Sequence, residues 1–309
     1  MTALMPLAQT RPAQPQANGQ TPAAQPRAVC QSVGAQPRAV GQSVGAQPRA
    51  VGCVRLSTKA LGGRSVLDRL YQQGASKVVF PRADIGMTGV LLNTSGGVTG
   101  GDRFSNDAEA GAGTHLTLTT QACERAYRAQ PGETGRITTS LRVGDGATLW
   151  WLPQETLVFD GCAVDRRLSC DITGSGRALI VEPLCLGRLA MGEAQVNGVM
   201  ADRIQVTREG APLVQDAWRL SGDLTAQMQR SATGGSAAAM VSLTYVAPDA
   251  EAHLEPLRAL LPATGGASLL AQDVLVLRLL SASGYTLRKH LLPILDHLTR
   301  HKMPLCWRL

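Results

Sequence analysis

From about residue 110 onward the chain alternates apolar and polar residues with a period of two, and this period most limits the folds open to it. In THLTLTT, Leu116 and Leu118 alternate with threonines, the pattern of a strand with one face buried and one face wet. GRITTSLRVGDGATLWWLPQ reads as two strands meeting at Gly144-Asp145-Gly146. ETLVFDG, RRLSCDI and RALIVEPLCLGR follow, with a turn at Thr173-Gly174-Ser175-Gly176, and RIQVTREGAPLVQDAWRLSG repeats the scheme around Glu209-Gly210. Short strands with turn signals every 8 to 12 residues predict a mainly β fold, read locally as a meander. Helical spacing comes late: AHLEPLRALLP after Asp249, and SGYTLRKHLLPILDHLTRH with Ser283 as N-cap and Pro293 as a kink point. DVLVLRLL between them reads as a strand.

The first fifty or so residues differ. Up to residue 55 there is no Asp, Glu or Lys, and an eleven-residue unit recurs as AQPRAVCQSVG (24–34), AQPRAVGQSVG (35–45) and a broken AQPRAVG (46–52). One Pro per unit rules out a helix, and so short a period rules out a solenoid of larger repeats. Such a segment buries too little apolar surface to offset the entropy of ordering, so residues 1–53 are expected to be a disordered tail. Five arginines (Arg11, Arg27, Arg38, Arg49, Arg55) supply five of the seven formal positive charges, leaving the remainder nearly neutral. No basic stripe marks the rest as a nucleic-acid binder.

No apolar run reaches the roughly 20 residues that span a bilayer, and the start lacks the pattern of a secretory signal. Seven cysteines at irregular spacing argue against a disulfide framework and for a reducing, cytoplasmic setting.

Several segments invite a chemical reading. VLLNTSGGVTGGDRF (90–104) places Gly96, Gly97, Gly100 and Gly101 before Asp102 and Arg103. A phosphate loop needs Lys and then Ser or Thr after its last glycine, and Asp102 would repel phosphate, so tight turns explain the glycines better. In TTQACERAYRA (119–129), Cys123 has no histidine nearby in sequence and reads as a structural thiol. LPQETLVFDG and EPLCLGRLAMGE embed Glu155, Asp160, Glu182 and Glu193 among apolar strands. These carboxylates fit turn anchors, a polar path for a divalent ion, or an acid–base pair of a β-rich hydrolase. His290, His297 and His301 fall on one face of a helix if Pro293 does not break it, and read as a solvated or partner-facing stripe.

Taken in order, VRLSTKALGGRSVLDRLYQQGASKVVFPR, LLNTSGGVTGGDRF, TTQACERAYRA, WLPQETLVFDG and EPLCLGRLAMGE resemble the UreD (UreH) family of urease accessory proteins. The resemblance covers residues 54 to 309 and excludes the tail, which leaves the start codon open to question; Thr58 stands where an aromatic is usual. It implies a mainly β fold of stacked short strands in a β-helix-like arrangement, with about two C-terminal helices. It implies a scaffold without catalytic activity that binds UreF, reaches the GTPase UreG through UreF, and docks on apo-urease. No cofactor is then held tightly; nickel is a transient cargo, expected to cross the protein by a polar passage. Carried over by position, Asp102, Glu155, Asp160 and Glu182 are the expected passage walls, with Thr99 beside Asp102. Gly96, Gly97, Gly100, Gly101 and Arg103 form a structural turn, and Arg188 pairs with Glu193. Oxygen ligands suit a cargo that must be released, whereas a Cys/His cage would retain it.

Overall fold

A computed structural model describes residues 48–308 except Leu189 and Ala190; the full repeats at 24–45 lie outside the described residues. The described chain opens with an antiparallel hairpin of β1 (Val51–Leu61) and β2 (Arg64–Gly74), so the broken third repeat runs into the first strand. β3 (Ser76–Val79) then pairs antiparallel with β4 (Met87–Asn93).

From β4 the chain alternates between two facing sheets. β5 (Arg103–Ala110), β8 (Gly135–Val143), β11 (Cys162–Ile172) and β13 (Asn197–Arg208) stack in parallel in the first sheet. β4, β6 (His115–Thr120), β9 (Thr148–Leu152) and β12 (Arg177–Leu186) stack in parallel in the second. Two short strands, β7 (Glu124–Ala126) and β10 (Thr156–Val158), pair in parallel at one corner and join β12. The result is a β-solenoid-like stack, as the family resemblance implies.

It is not a meander. The Gly144-Asp145-Gly146 and Thr173–Gly176 turns do not close hairpins; each carries the chain from one sheet to the other. A turn signal encodes a bend, and the choice of pairing partner is made by strands one coil away. Those corners stack on each other, with Gly113 N–H donating to the Asp145 carbonyl and Thr173 N–H to the Val143 carbonyl. Glu209-Gly210 does close a hairpin, with φ of 51° and 81°, returning the chain into β14 (Ala211–Asp223).

Antiparallel pieces close the stack. After the short helix α1 (Leu224–Gln229), β15 (Ala239–Val246) pairs antiparallel with β12, and β17 (Val274–Ser281) and β16 (Gly265–Ala271) extend that sheet. Helix α2 (Ala250–Leu260) begins after Asp249, and α3 (Gly284–Thr299) starts where the Ser283 hydroxyl accepts from Thr286 N–H. Pro293 lies inside α3, which continues to Thr299. No helix among the described residues is long and apolar enough to cross a membrane.

Between the sheets, registered apolar rungs form one core. Leu56, Ala108, Leu141, Cys170, Val206 and Val214 pair in sequence across β1, β5, β8, β11, β13 and β14, all buried. The outer face of the second sheet carries a second core, where Trp150, Leu179 and Leu275 pack against Leu287, Leu291 and Ile294 of α3. Strands of this sheet are therefore covered on both faces. Thr117 and Thr119 of β6, expected to face water, are buried instead. Neutral hydroxyls tolerate this when paired: Thr117 bonds His115 Nε2 at 3.1 Å, and Thr119 lies 3.5 Å from Cys306 Sγ. Thr58 is likewise buried and paired with Thr114 at 2.8 Å.

The C-terminus is pinned across this second core. Trp307 is buried, and its Nε1–H donates to the Leu152 carbonyl at 3.0 Å. Trp307→Ala should lower unfolding stability by about 3–5 kcal/mol, the cost of truncating a buried aromatic. Denaturant titration checks this; a loss below about 1 kcal/mol would show that the C-terminal segment does not hold the helical layer.

Candidate functional site

Strand phase sets the site. In β11, Cys162, Val164, Arg166, Leu168 and Cys170 all point inward, so Arg166 occupies an apolar register. In β13, Met200, Asp202, Ile204 and Val206 do the same, and parallel pairing sets Asp202 directly beside Arg166. Opposite them, β12 presents Glu182. The Arg166 guanidinium donates to both Asp202 oxygens at 3.0 and 2.7 Å and reaches Glu182 Oε2 at 2.6 Å. It also donates to the Thr156 hydroxyl at 3.1 Å, and Trp151 Nε1–H donates to Glu182 Oε1 at 2.7 Å.

One cation thus faces two carboxylates, all three side chains buried. Burial is the largest influence on Glu182 and disfavours its charge; Arg166 opposes this, Asp202 adds to it, and its pKa is raised to about 7. Burial works against the Arg166 charge too, but the two carboxylates outweigh it and raise its pKa.

Arg166 and Glu182 form the inner wall of a cavity of about 180 Å³ between the sheets. Asn106, Thr139, Thr156 and Trp151 continue the lining, and the space reaches the surface beside the exposed Lys77, Gln121 and Arg125. Near that mouth Glu124 is half-buried, and burial raises its pKa despite Asn93 donating to both its oxygens at 3.2 Å.

Of the four carboxylates singled out from sequence, the structure brings only Glu182 to the cavity. Asp102 is a turn anchor: Oδ1 accepts from Ala50 N–H at 2.7 Å and Oδ2 from Thr99 N–H at 2.9 Å. Thr99 donates to the Arg128 carbonyl and also lies off the lining. Asp160 sits at a surface corner, where Asn197 N–H donates to it at 2.9 Å and Arg128 pairs with it; these contacts, the Asn197 amide foremost, lower its pKa.

Glu155 neighbours the mouth without lining it. Burial opposes its charge, but Arg288 of α3 donates to its two oxygens at 2.9 and 2.7 Å, and the net effect lowers its pKa. Cys123 donates to Glu155 at 3.4 Å, and burial, reinforced by that negative charge, pushes the thiol up to about 11. It stays protonated, as expected of a structural thiol. Glu155, Asp160 and Glu182 therefore do not line one cavity, and these three do not form the acid–base pair that the hydrolase alternative requires.

The glycine-rich segment is a turn between β4 and β5. A Cβ on Gly97 would lie 2.4 Å from the Tyr127 ring, and Gly96 and Gly101 both take φ of +82°. Gly100 packs on Ala129 and Glu133, and the exposed Arg103 opens β5. Arg188 pairs with Glu193 at 3.0 Å and lies over the Phe159 ring. Sequence reading missed Arg166 and Asp202, although the signal was present: each breaks an inward-facing apolar phase.

The raised Glu182 pKa sets a pH dependence. The folded state keeps a proton that the unfolded chain releases near its ordinary value, so this stabilising contribution is full below about 4.5 and is lost as pH rises through about 7. Glu182→Gln removes it, so wild-type stability should fall relative to the variant by roughly 3 kcal/mol across that window, at about 1.4 kcal/mol per unit. Urea melts of both proteins at several pH values check this; parallel pH curves would contradict it.

The sequence matches the UreD urease accessory protein family over residues 50–308. A protein of Ruegeria pomeroyi named urease accessory protein UreD is 50% identical over 255 residues, covering 82% of this chain and 99% of that relative. Relatives of the same name from Roseobacter denitrificans (48% identical; 84% and 94% covered) and Rhizobium etli (43%; 82% and 93%) align similarly. A family match across nearly all described residues, with half-identical relatives aligned almost end to end, establishes that this chain belongs to the UreD family of urease accessory proteins.

Proposed function

We propose that the chain is a cytoplasmic urease maturation factor that carries out no reaction itself. In this reading the domain of residues 54–309 binds UreF, engages UreG through UreF, and docks on apo-urease. There it aids GTP-dependent nickel insertion, with nickel crossing the inter-sheet cavity as transient cargo. The observation that carries the passage reading is a buried carboxylate, Glu182, beside Arg166 on the inner wall of a cavity whose lining runs through Asn106, Thr139 and Thr156 to Glu124 near the mouth.

The chemistry suits transit. Trp151 and Arg166 each use one Glu182 oxygen, and a carboxylate retains further lone pairs for a hydrated cation. Asn106 and Thr139 add neutral oxygens. No trio of His, Cys, Asp or Glu side chains suited to trapping a metal occurs among the described residues. Arg166, balanced by Asp202, keeps the cluster near neutrality and limits how tightly a cation is held.

Glu182→Leu should lower urease activity and nickel content several-fold when coexpressed with the urease operon, while UreF capture persists. Deletion of the gene should leave full-length, nickel-poor urease. Asn106→Leu narrows the same cavity without touching the ion cluster and should act in the same direction. Normal urease nickel content with both variants would overturn the passage reading; normal activity after deletion would overturn the maturation reading.

A further inference from the structure

A second cavity, of about 340 Å³, opens where the start of α2 and the end of α3 meet the outer face of the second sheet. Its floor is apolar and aromatic: Trp150 of β9, Tyr245 of β15 and Leu298 of α3 are all buried. Its rim is cationic, with Arg177, Arg300 and Lys302 exposed around the opening. The cavity lies on the opposite face of the second sheet from the Glu182 cavity and stands independently of the passage reading.

Acceptors in this lining are already taken. Asp249, its one carboxylate, accepts from the Tyr245 hydroxyl at 2.9 Å and stands 3.6 Å from His253 Nε2 and 3.8 Å from Arg177. His253 Nδ1 is bonded to His297 Nε2 at 3.0 Å, an ordinary imidazole pair. His115 on the wall is uncharged at neutral pH, since burial lowers its pKa to about 4. Donors, by contrast, are left over. The indoles of Trp151 and Trp307 donate to Glu182 and to the Leu152 carbonyl, whereas Trp150, only 7% exposed, finds no acceptor for its Nε1–H among the described residues. The Arg300 guanidinium likewise has no ion pair or hydrogen bond among the described residues, and Lys302 only approaches the exposed Asp84 at 3.5 Å.

The backbone accepts strain to build this rim. Arg300 and His301 follow α3 with φ of 52° and 61°, a left-handed conformation that is costly for residues with such side chains. Glycine or asparagine would end the helix more easily at 300; arginine adds a charge over the cavity. A buried N–H without an acceptor, under a rim of three cations, fits an anion.

We infer that this cavity binds a small organic carboxylate, its oxygens held by Trp150 Nε1–H and the guanidinium groups of Arg177 and Arg300, its apolar body against Trp150, Tyr245 and Leu298. A guanidinium fork matches the two oxygens of a carboxylate. The volume lies at the small end of ligand pockets. An inorganic oxyanion would engage the same donors but leave the apolar floor uncovered.

The test uses the full-length chain with ¹⁵N-labelled tryptophan. Sodium benzoate should shift the Trp150 indole N–H signal saturably while those of Trp151 and Trp307 stay in place, Trp150→Phe identifying the signal. Asparagine tolerates the left-handed backbone, so Arg300→Asn should keep the wild-type melting temperature and bind benzoate at least tenfold more weakly. Lys302→Gln, at an exposed position, should weaken binding several-fold. Inorganic phosphate should bind at least tenfold more weakly than benzoate. No saturable shift at Trp150, or wild-type affinity in both cation variants, would overturn the site. Phosphate binding as tightly as benzoate would overturn the organic class and leave a bare oxyanion. A glutamate blocked at both ends that binds more tightly than benzoate would assign the cavity to an acidic side chain of a partner instead.

Discussion

A guanidinium enclosed between two β-sheets must find its counter-charges inside the protein, and the arrangement around Arg166 follows from that requirement. Asp202 on the next coil of the same sheet takes two of its N–H groups, and Glu182 on the facing sheet takes another. The first contact fixes the register of β11 against β13; the second fixes the separation of the sheets. Removing one partner of such a cluster leaves a buried charge uncompensated, which typically costs about 3–5 kcal/mol. An apolar core of the same shape would be at least as stable, so what the cluster adds is its effect on the adjoining space. Without it the two sheets could close on leucine and valine, as they do along the Leu141–Cys170 rung. With it they leave a polar cavity.

The cavity and the helical layer are coupled through one side chain. Arg288 of α3 crosses to Glu155 and Gln154 beside the mouth and lies over the Trp307 ring. The C-terminal layer therefore both buries the outer face of the second sheet and orders the segment next to the opening. Any partner that displaced α3 would alter the mouth first, because Glu155 and Cys123 would lose the charge that now balances them.

Much of the fold was legible in the sequence. Period two predicted strands, Ser283 marked the start of α3, and the alternation in DVLVLRLL marked β17. Pairing was not legible locally. Gly144-Asp145-Gly146 and Glu209-Gly210 are both turn signals, yet one crosses between sheets and the other closes a hairpin, because the partner of each strand is set a full coil away. Threonines of β6 read as solvent-facing because the covering helices arrive more than a hundred residues later. Carboxylates pose the same difficulty in sharper form. Asp102, Asp160 and Glu182 share a composition and a local setting in sequence, but two anchor backbone amides at corners and one faces the cavity. Only inward phase distinguishes them, and that same phase marks Arg166 and Asp202.

The central claim is that the space beside Glu182 is where nickel passes. Anomalous diffraction at the nickel edge, from crystals of the chain in complex with UreF soaked in NiCl₂, addresses it most directly. The account predicts an anomalous peak inside the inter-sheet cavity within bonding distance of Glu182, lost in Glu182→Leu. Nickel found only outside that cavity, at equal occupancy in both proteins, would contradict it.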